Sequence, residues 1–121
     1  MRKSVNSLIH PLALQDMQAR IAALGEPAVL VDVPLLYEAG WVGYFSRVIV
    51  VYADCRACCQ RLASRDEISH EEAARSISAQ MRLAEKVLLA DHVIDNSGCR
   101  LYARAQTFHL AALLQNEFRS F

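Results

Sequence analysis

The sequence has no long hydrophobic run and no excess of charge of either sign. Its apolar runs are far shorter than the roughly 18 to 20 residues that a membrane-spanning helix needs, and the start MRKSVNSLIHP has no apolar signal-peptide core. Thirteen basic residues balance thirteen acidic ones, so the overall charge does not favour nucleic-acid or membrane-surface binding. We therefore expect a cytoplasmic protein that binds neither nucleic acid nor membrane.

Glycine is also scarce. The four glycines are scattered, and no G-x-x-x-x-G-K-[ST] phosphate loop occurs among the 121 residues. A nucleophile elbow, an HExxH helix and an EF-hand loop are missing as well, so hydrolase and metalloprotease functions have no support. The length suits a single domain over residues 1–121.

Cysteine occurs at only four positions, Cys55, Cys58, Cys59 and Cys99. The C-x-x-C pair could indicate redox or zinc chemistry. A structural zinc site usually takes two such pairs, whereas here three cysteines stand together and Cys99 stands alone. The simpler interpretation is small apolar side chains on a helix, reduced in the cytoplasm.

Helical periodicity predicts four helices. The first has Pro11 in its first turn and ends at Gly25. The second follows Asp54, which can cap it. Ser69 and Glu72 form an S-x-x-E capping box that begins a long third helix, and the fourth is C-terminal. The third helix has an apolar stripe made of Ala73, Ile77, Met81, Ala84 and Leu88.

Three short runs rich in β-branched residues, AVLVDVP, RVIVVYAD and HVIDN, predict strands. They lack polar alternation, which is typical of strands covered on both faces. Together with the helices they predict an α/β fold with a parallel sheet. Ligands bind beyond the carboxyl ends of such strands, where this chain has DVPLLYE, YAD and DNSG.

Arginines between the second strand and the capped helix suggest phosphoryl transfer, because fixed cations must meet the charge of the transferred group. The arginines are Arg61, Arg65, Arg75 and Arg82. Arg61 and Arg65 are four residues apart and share a helical face. The alternative is a solvated face with ordinary ion pairs to Glu71, Glu72 and Glu85.

Asp32 ends the first predicted strand. An acid at this position can help to hold Mg²⁺ through water, as in a Walker-B-like strand. A strand-end aspartate that only caps a turn is equally common, so both interpretations remain open.

Five segments together resemble the dephospho-coenzyme A kinases: LIHPL, VLVDVPLLYEAG, RVIVVYAD followed by CCQRLASRD, SAQM, and ADHVIDNSG. They occur in the family's order and spacing, from about Val5 to about Phe118. The resemblance implies transfer of the γ-phosphate of ATP, with Mg²⁺, to the ribose 3′-hydroxyl of dephospho-coenzyme A. This is the last step of coenzyme A synthesis. The implied fold is of the P-loop NTPase type, with a lid over about residues 55–85.

The resemblance also implies site residues. Arg61 and Arg65 match the lid motif and would act in catalysis on the ATP phosphates, while Asn96 and Gly98 match a DN-x-G turn that lies against the adenine. The acceptor-side residues would be His10, Leu35, Leu36 and Glu38. On this interpretation Asp32 faces magnesium and Glu38 the acceptor pocket.

Two departures from the family pattern matter. Cys58 stands where the family's lid usually has Gln, and the family's first strand, P-loop and early catalytic Asp are missing from this sequence. The leading hypothesis is therefore a dephospho-coenzyme A kinase chain truncated at its N-terminus and inactive alone. The alternatives are a fragment of another small P-loop kinase and a non-catalytic coenzyme A or nucleotide-binding module.

The missing first strand would leave a gap in the centre of the sheet. Unpaired strand edges invite association, so we expect self-association through the edges of the strands at residues 29–33 and 48–52. Direct pairing of these two strands, or loss of order, are the other possible outcomes.

Overall fold

The computed structural model of the chain describes the backbone of residues 2–119 and the side chains of residues 10–118. By its contacts the chain divides into two units, Met1–Pro34 and Leu35–Phe121. Each unit is described by itself. The prediction of a single domain over residues 1–121 stays a prediction.

The first unit contains helix α1, Arg2–Leu24. The helix ends where the sequence predicts, because Gly25 adopts φ +62, a left-handed conformation that ends helices and favours glycine. Its predicted start is wrong, since Pro11 lies inside the helix. Proline fixes φ near the helical value, so Pro11 keeps the helical backbone. The helix loses only the hydrogen bond that the missing N–H of Pro11 would make.

Residues 25–33 have no regular secondary structure beyond a bend, so the strand predicted for AVLVDVP is wrong. Leu30, at its centre, is 87% exposed. A strand exists only where a neighbour accepts and donates its backbone hydrogen bonds, and the sheet formed by the described residues has two strands, neither of them here. The residues of this segment favour a strand, but no neighbouring strand pairs with them among the described residues.

The second unit contains a parallel pair of strands, β1 (Ile49–Tyr52) and β2 (His92–Asp95). Ile49 lies opposite His92 and Tyr52 opposite Asp95. The predicted α/β class, the parallel sheet and these two strands are confirmed.

Four α-helices and a short 3-10 helix, Val42–Tyr44, complete the described part of the second unit. The α-helices are α2 (Cys55–Asp66), α3 (His70–Ser78), α4 (Leu83–Leu89) and α5 (Arg100–Arg119). The predicted caps are present: the Asp54 carboxylate accepts a hydrogen bond from the Ala57 N–H at 2.8 Å, and the Ser69 hydroxyl accepts one from the Glu72 N–H at 3.1 Å. Each satisfies an amide of the first turn that has no partner within the helix.

The long helix predicted after Ser69 is wrong, because residues 79–82 are not helical and divide it into α3 and α4. Arg82 has an extended backbone with ψ 135. This interruption changes which side of the following helix faces inward. Leu88, predicted to lie on the apolar stripe, is 85% exposed, while Lys86 is 7% exposed.

The small core of the second unit lies on both faces of the sheet. Val50 and Ile94 are both buried. They point to opposite faces, because Ile94 is paired with Val51 and neighbouring residues of a strand alternate. Helix α4 packs on β1 and α5 packs on β2. Among the described residues, none of the helices combines the length and the apolar character that crossing a bilayer requires.

Candidate functional site

The carboxyl ends of β1 and β2 meet at one edge of the sheet, and hydrogen bonds fix the turns that follow them. The Asn96 N–H donates to the Tyr52 carbonyl at 2.6 Å. The Asp54 N–H donates to the Ser97 hydroxyl at 2.9 Å. Since Asp54 also caps α2, the turn after β2 and the start of α2 form one connected edge.

The turn after β2 contains the predicted adenine-binding residues Asn96 and Gly98. The Ser97 N–H donates to the Asp95 carboxylate at 2.9 Å, and the hydrogen bonds from the backbone and hydroxyl of Ser97 lower the pKa of Asp95. From α5, the Gln106 amide both accepts from the Asp95 N–H and donates to the Asp95 carbonyl, each at 2.9 Å. The turn is thus fixed on two sides.

The predicted lid arginines, Arg61 and Arg65, both lie on α2. Arg65 pairs with Asp66 through its Nε at 2.8 Å, and this hydrogen bond raises the pKa of Arg65 and lowers that of Asp66. Both arginine side chains are exposed. Within the described part of the chain, the arginines on α2, on α3 and at the start of α4 form no ion pair with a glutamate of α3 or α4.

The connection from α2 to α3 passes through Glu67, whose φ of 54 is left-handed. The Glu67 N–H donates to the Ala63 carbonyl, and the Ile68 N–H donates to the same carbonyl at 3.1 Å. This left-handed cap ends α2 within one residue and turns the chain into the capped start of α3. A shallow groove here is lined by Gln60, Ala63, Ser64, Ile68 and His70.

The segment PLLYEAG forms one helical turn, and the sequence reasoning missed it. The Trp41 N–H donates to the Leu36 carbonyl and the Gly40 N–H to the Tyr37 carbonyl, each at 3.1 Å. Gly40 has φ +72. This pair of bonds around a left-handed glycine is the Schellman motif that ends helices, and the glycine after a short helix-forming run was the available signal.

Glu38, predicted to face the acceptor, lies in the middle of this turn and pairs with Lys86 of α4. The Lys86 Nζ is 3.0 Å from one Glu38 carboxylate oxygen and 3.2 Å from the other. The sequence reasoning missed Lys86, because a continuous helix over Ala73 to Leu88 would place it off the apolar stripe. Only the interruption at residues 79–82 turns it inward, and we find no sequence signal for that.

Two predicted site residues belong to the first unit. His10 lies on α1, and Asp32 is exposed in the irregular segment 25–33. The second unit holds the rest: Leu35, Leu36, Glu38, Arg61, Arg65, Asn96 and Gly98.

The four cysteines are all free thiols. Cys55 and Cys99 are exposed, so the interpretation as apolar filler does not hold for these two. Cys58 is partly buried and its thiol lies 3.5 Å from the Ala53 carbonyl. Desolvation, and then the neighbouring Cys55, raise the pKa of Cys58, which disfavours a reactive thiolate there.

Comparison with known proteins places these observations in a family. The dephospho-CoA kinase family model matches residues 1–101. The dephospho-CoA kinase of Geobacillus kaustophilus is 42% identical over 108 residues, which cover 87% of this chain and 54% of that protein. A Danio rerio dephospho-CoA kinase domain-containing protein is 39% identical over 119 residues, which cover 95% of this chain and 52% of that protein.

Two solved structures are also similar. A crystal structure of a Thermus thermophilus protein has a TM-score of 0.78 and 29% identity, and the match covers 94% of this chain and 58% of that one. The dephospho-CoA kinase of Campylobacter jejuni has a TM-score of 0.67 and 24% identity, with 96% and 59% coverage. At that identity the second similarity supports the fold alone.

The parallel strand pair, the helices that pack on its strands and these structural similarities define an α/β protein with a fold of the P-loop NTPase type. The family match is more particular: the chain belongs to the dephospho-CoA kinase family, a family of phosphotransferases. Both the family and the fold class predicted from the sequence are confirmed. The chain spans about half the length of the curated relatives it matches.

Proposed function

We propose that this chain supplies the lid, the adenine-binding turn and part of the acceptor site for the dephospho-CoA kinase reaction. In that reaction the γ-phosphate of ATP passes to the ribose 3′-hydroxyl of dephospho-CoA. The observation that supports this most is the extent of the family match, residues 1–101, which includes every predicted site residue from His10 to Gly98.

On the nucleotide side, Arg61 and Arg65 would neutralise the charge of the ATP phosphates as α2 closes over them. The bond between the Asp54 N–H and the Ser97 hydroxyl supports this role, because it joins the start of α2 to the turn that contains Asn96. Phosphates and adenine would therefore meet groups held on one edge of the sheet. The lid arginines are exposed, which leaves them accessible to a phosphate.

On the acceptor side, the helical turn of residues 35–40 would present Leu35 and Leu36 to dephospho-CoA, with Glu38 beside them. Leu35 is 43% exposed, so apolar area remains that a ligand can cover. His10, on α1 of the first unit, stays a candidate acceptor-side residue on the family resemblance alone.

Magnesium would be held mainly by the ATP phosphates. Among the described residues, no group of three or more His, Cys, Asp or Glu side chains could hold a metal ion. Mg²⁺ in phosphoryl-transfer sites usually takes one or two carboxylates, several waters and phosphate oxygens. A single exposed carboxylate at Asp32 fits a role through water.

The 121 residues contain no phosphate-loop motif, so we expect no ATP-dependent phosphorylation of dephospho-CoA by the isolated chain above background. Phosphoryl transfer depends on the electrostatic stabilisation that such a loop and its lysine provide. A coupled ADP-release assay would measure this. Turnover that survives repurification and disappears in the Arg65→Ala variant would overturn the expectation.

Ligand binding is the direct test of the proposal. Calorimetric titration should show saturable binding of dephospho-CoA and of a non-hydrolysable ATP analogue, and Arg65→Ala should weaken only the binding of the analogue. Arg56→Ala is the matched control, because Arg56 lies on the same helix outside the predicted lid motif. Equal effects of both variants would indicate that Arg65 lies on an ordinary solvated helical face and not in a lid. If neither ligand binds, the proposal is refuted.

The same titration separates the alternatives. A non-catalytic module would bind dephospho-CoA with the same affinity whether or not the ATP analogue is present. A fragment of another small P-loop kinase would bind the ATP analogue alone.

In a longer chain that includes a phosphate loop, Arg65→Ala should lower turnover at least tenfold, or about 1.4 kcal/mol at the transition state. The cytoplasmic location stays a prediction.

A further inference from the structure

Lys86 is a charged residue in the core of the second unit. It is 7% exposed, and its ammonium lies 3.0 Å and 3.2 Å from the two oxygens of a Glu38 side chain that is itself only 24% exposed. An ammonium in such a position requires a partner, because desolvation of an isolated charge is costly. The pair therefore differs from an exposed ion pair, which usually has little effect.

Among the described residues, the backbone hydrogen bonds found for the turn that contains Glu38 join residues close in sequence. They join Leu35 to Ala39, Tyr37 to Gly40 and Leu36 to Trp41. A single helical turn is unstable alone, because its nucleation fixes several residues for very few bonds. The contact between Glu38 and Lys86 spans 48 residues of sequence and ties the turn to α4, which packs on β1.

Tyr37, the neighbour of Glu38 in the same turn, has a buried hydroxyl that makes no hydrogen bond with the described residues. Burial, and then the nearby charge of Asp91, raise the pKa of Tyr37. The Asp91 carboxylate in turn accepts a hydrogen bond from the Val48 N–H at 2.7 Å. The charge of Asp91 therefore acts on the Tyr37 hydroxyl, while the carboxylate of the adjacent Glu38 pairs with Lys86 on α4.

We propose that Lys86 is a positioning residue of the acceptor side: by holding the Glu38 carboxylate it fixes the turn of residues 35–40 and so the place of Leu35 and Leu36. The position of the turn follows from the geometry, and its effect on the acceptor rests on the function proposed above. Glu38 then acts through its ion pair rather than by direct contact with the ligand. The lid and the adenine-binding turn do not depend on this pair.

Hydrogen exchange on the full 121-residue chain tests the position of the turn. Lys86→Met and Glu38→Gln should each lower the protection of the amides of Ala39, Gly40 and Trp41 by roughly tenfold or more. Amides of α2 and α3 should keep their protection and show that the variants are folded. Glu85→Gln is the matched control, since this exposed neighbour on α4 makes no ion pair with the turn.

Reversal of the pair, Glu38→Lys with Lys86→Glu, should restore much of the lost protection, whereas a purely steric role of either side chain would not be rescued. Calorimetry gives the second measurement. Both single variants should weaken binding of dephospho-CoA about tenfold or more and leave binding of the ATP analogue within about twofold, because only the acceptor side depends on the turn.

The outcomes separate the two proposals. Unchanged protection of the three amides in both single variants would overturn the positioning role. Lost protection with unchanged dephospho-CoA affinity would overturn its link to the acceptor. Lost protection in a chain that binds no dephospho-CoA even without substitution would support the positioning of the turn and refute the acceptor role of the proposed function.

Discussion

Gln106 should stabilise the turn after β2 more than its position on a surface helix suggests. Its amide makes two 2.9 Å hydrogen bonds to the backbone of Asp95 and a weaker one, 3.3 Å, to the Tyr102 carbonyl. Gln106→Leu keeps the size of the side chain but leaves the Asp95 N–H and carbonyl without these partners. An unmet buried backbone group costs about 1 to 3 kcal/mol.

Asp95 is only partly buried, so water can meet part of this need and the lower limit applies to each group. We therefore expect Gln106→Leu to lower the free energy of unfolding by about 2 kcal/mol, which is a change of roughly 30-fold in the equilibrium constant. Gln106→Glu keeps the acceptor for the Asp95 N–H and loses the donor to its carbonyl. It should fall between the parent and the leucine variant.

Urea unfolding followed by circular dichroism would measure these changes. Gln115→Leu is the control, because Gln115 is exposed on the same helix and the two residue types have similar helix propensity. It should stay within about 0.5 kcal/mol of the parent. If both leucine variants lose the same stability, the bonds to Asp95 do not stabilise the fold and the reasoning is refuted.

Three other predictions follow from local features. Glu67→Gly should raise the free energy of unfolding by about 0.5 to 1 kcal/mol in a urea titration, because glycine adopts the left-handed conformation at φ 54 without strain; a loss of stability would contradict this. Ser97→Ala should raise the pKa of Asp95 toward its ordinary value in an NMR titration of the carboxyl, because one of the hydrogen bonds that lower it is lost. The lowered pKa of Asp95 in the folded chain stabilises the fold at pH values above the unfolded-state pKa, and this stabilisation is lost as the pH falls through the folded-state pKa. In the Ser97→Ala variant the stabilisation should therefore be lost at a higher pH. An unmoved pKa of Asp95 would show that the Ser97 hydroxyl does not lower it. Finally, the open edge of β1 should lead to self-association, seen as a mass above that of one chain in light scattering with slow amide exchange in β1; a monomer with slow exchange throughout β1 would refute it.

The features predicted correctly from the sequence depend on nearby residues. Asp54 and Ser69 cap their helices through amides three residues away, and Gly25 ends α1 by its own backbone conformation. The strands β1 and β2 were recognisable from their runs of β-branched residues, and each finds the partner that it needs in the other, although the two are distant in sequence. The caps and the glycine stop need little information beyond a window of a few residues.

The failures involve partners distant in sequence. Residues 29–33 have the composition of a strand, but strand formation depends on a neighbour that no local pattern can supply. Lys86 lies inward only because four residues, 79–82, leave the helical path and change the phase of α4. The turn before Gly40 was within reach of sequence reasoning, since a glycine after a short run of helix formers is a known ending signal.

The hydrogen bonds from Gln106 also decide which edge of the sheet can accept a further strand. In β2 the amides of His92 and Asn96 point toward β1, so alternate residues, Val93 and Asp95, face the outer side. Gln106 occupies both backbone groups of Asp95, and a single free residue cannot support a ladder. Any added strand, from a longer chain or a second molecule, must therefore join at β1, so the edge at β2 is a terminus of the sheet and assembly can proceed from one side only.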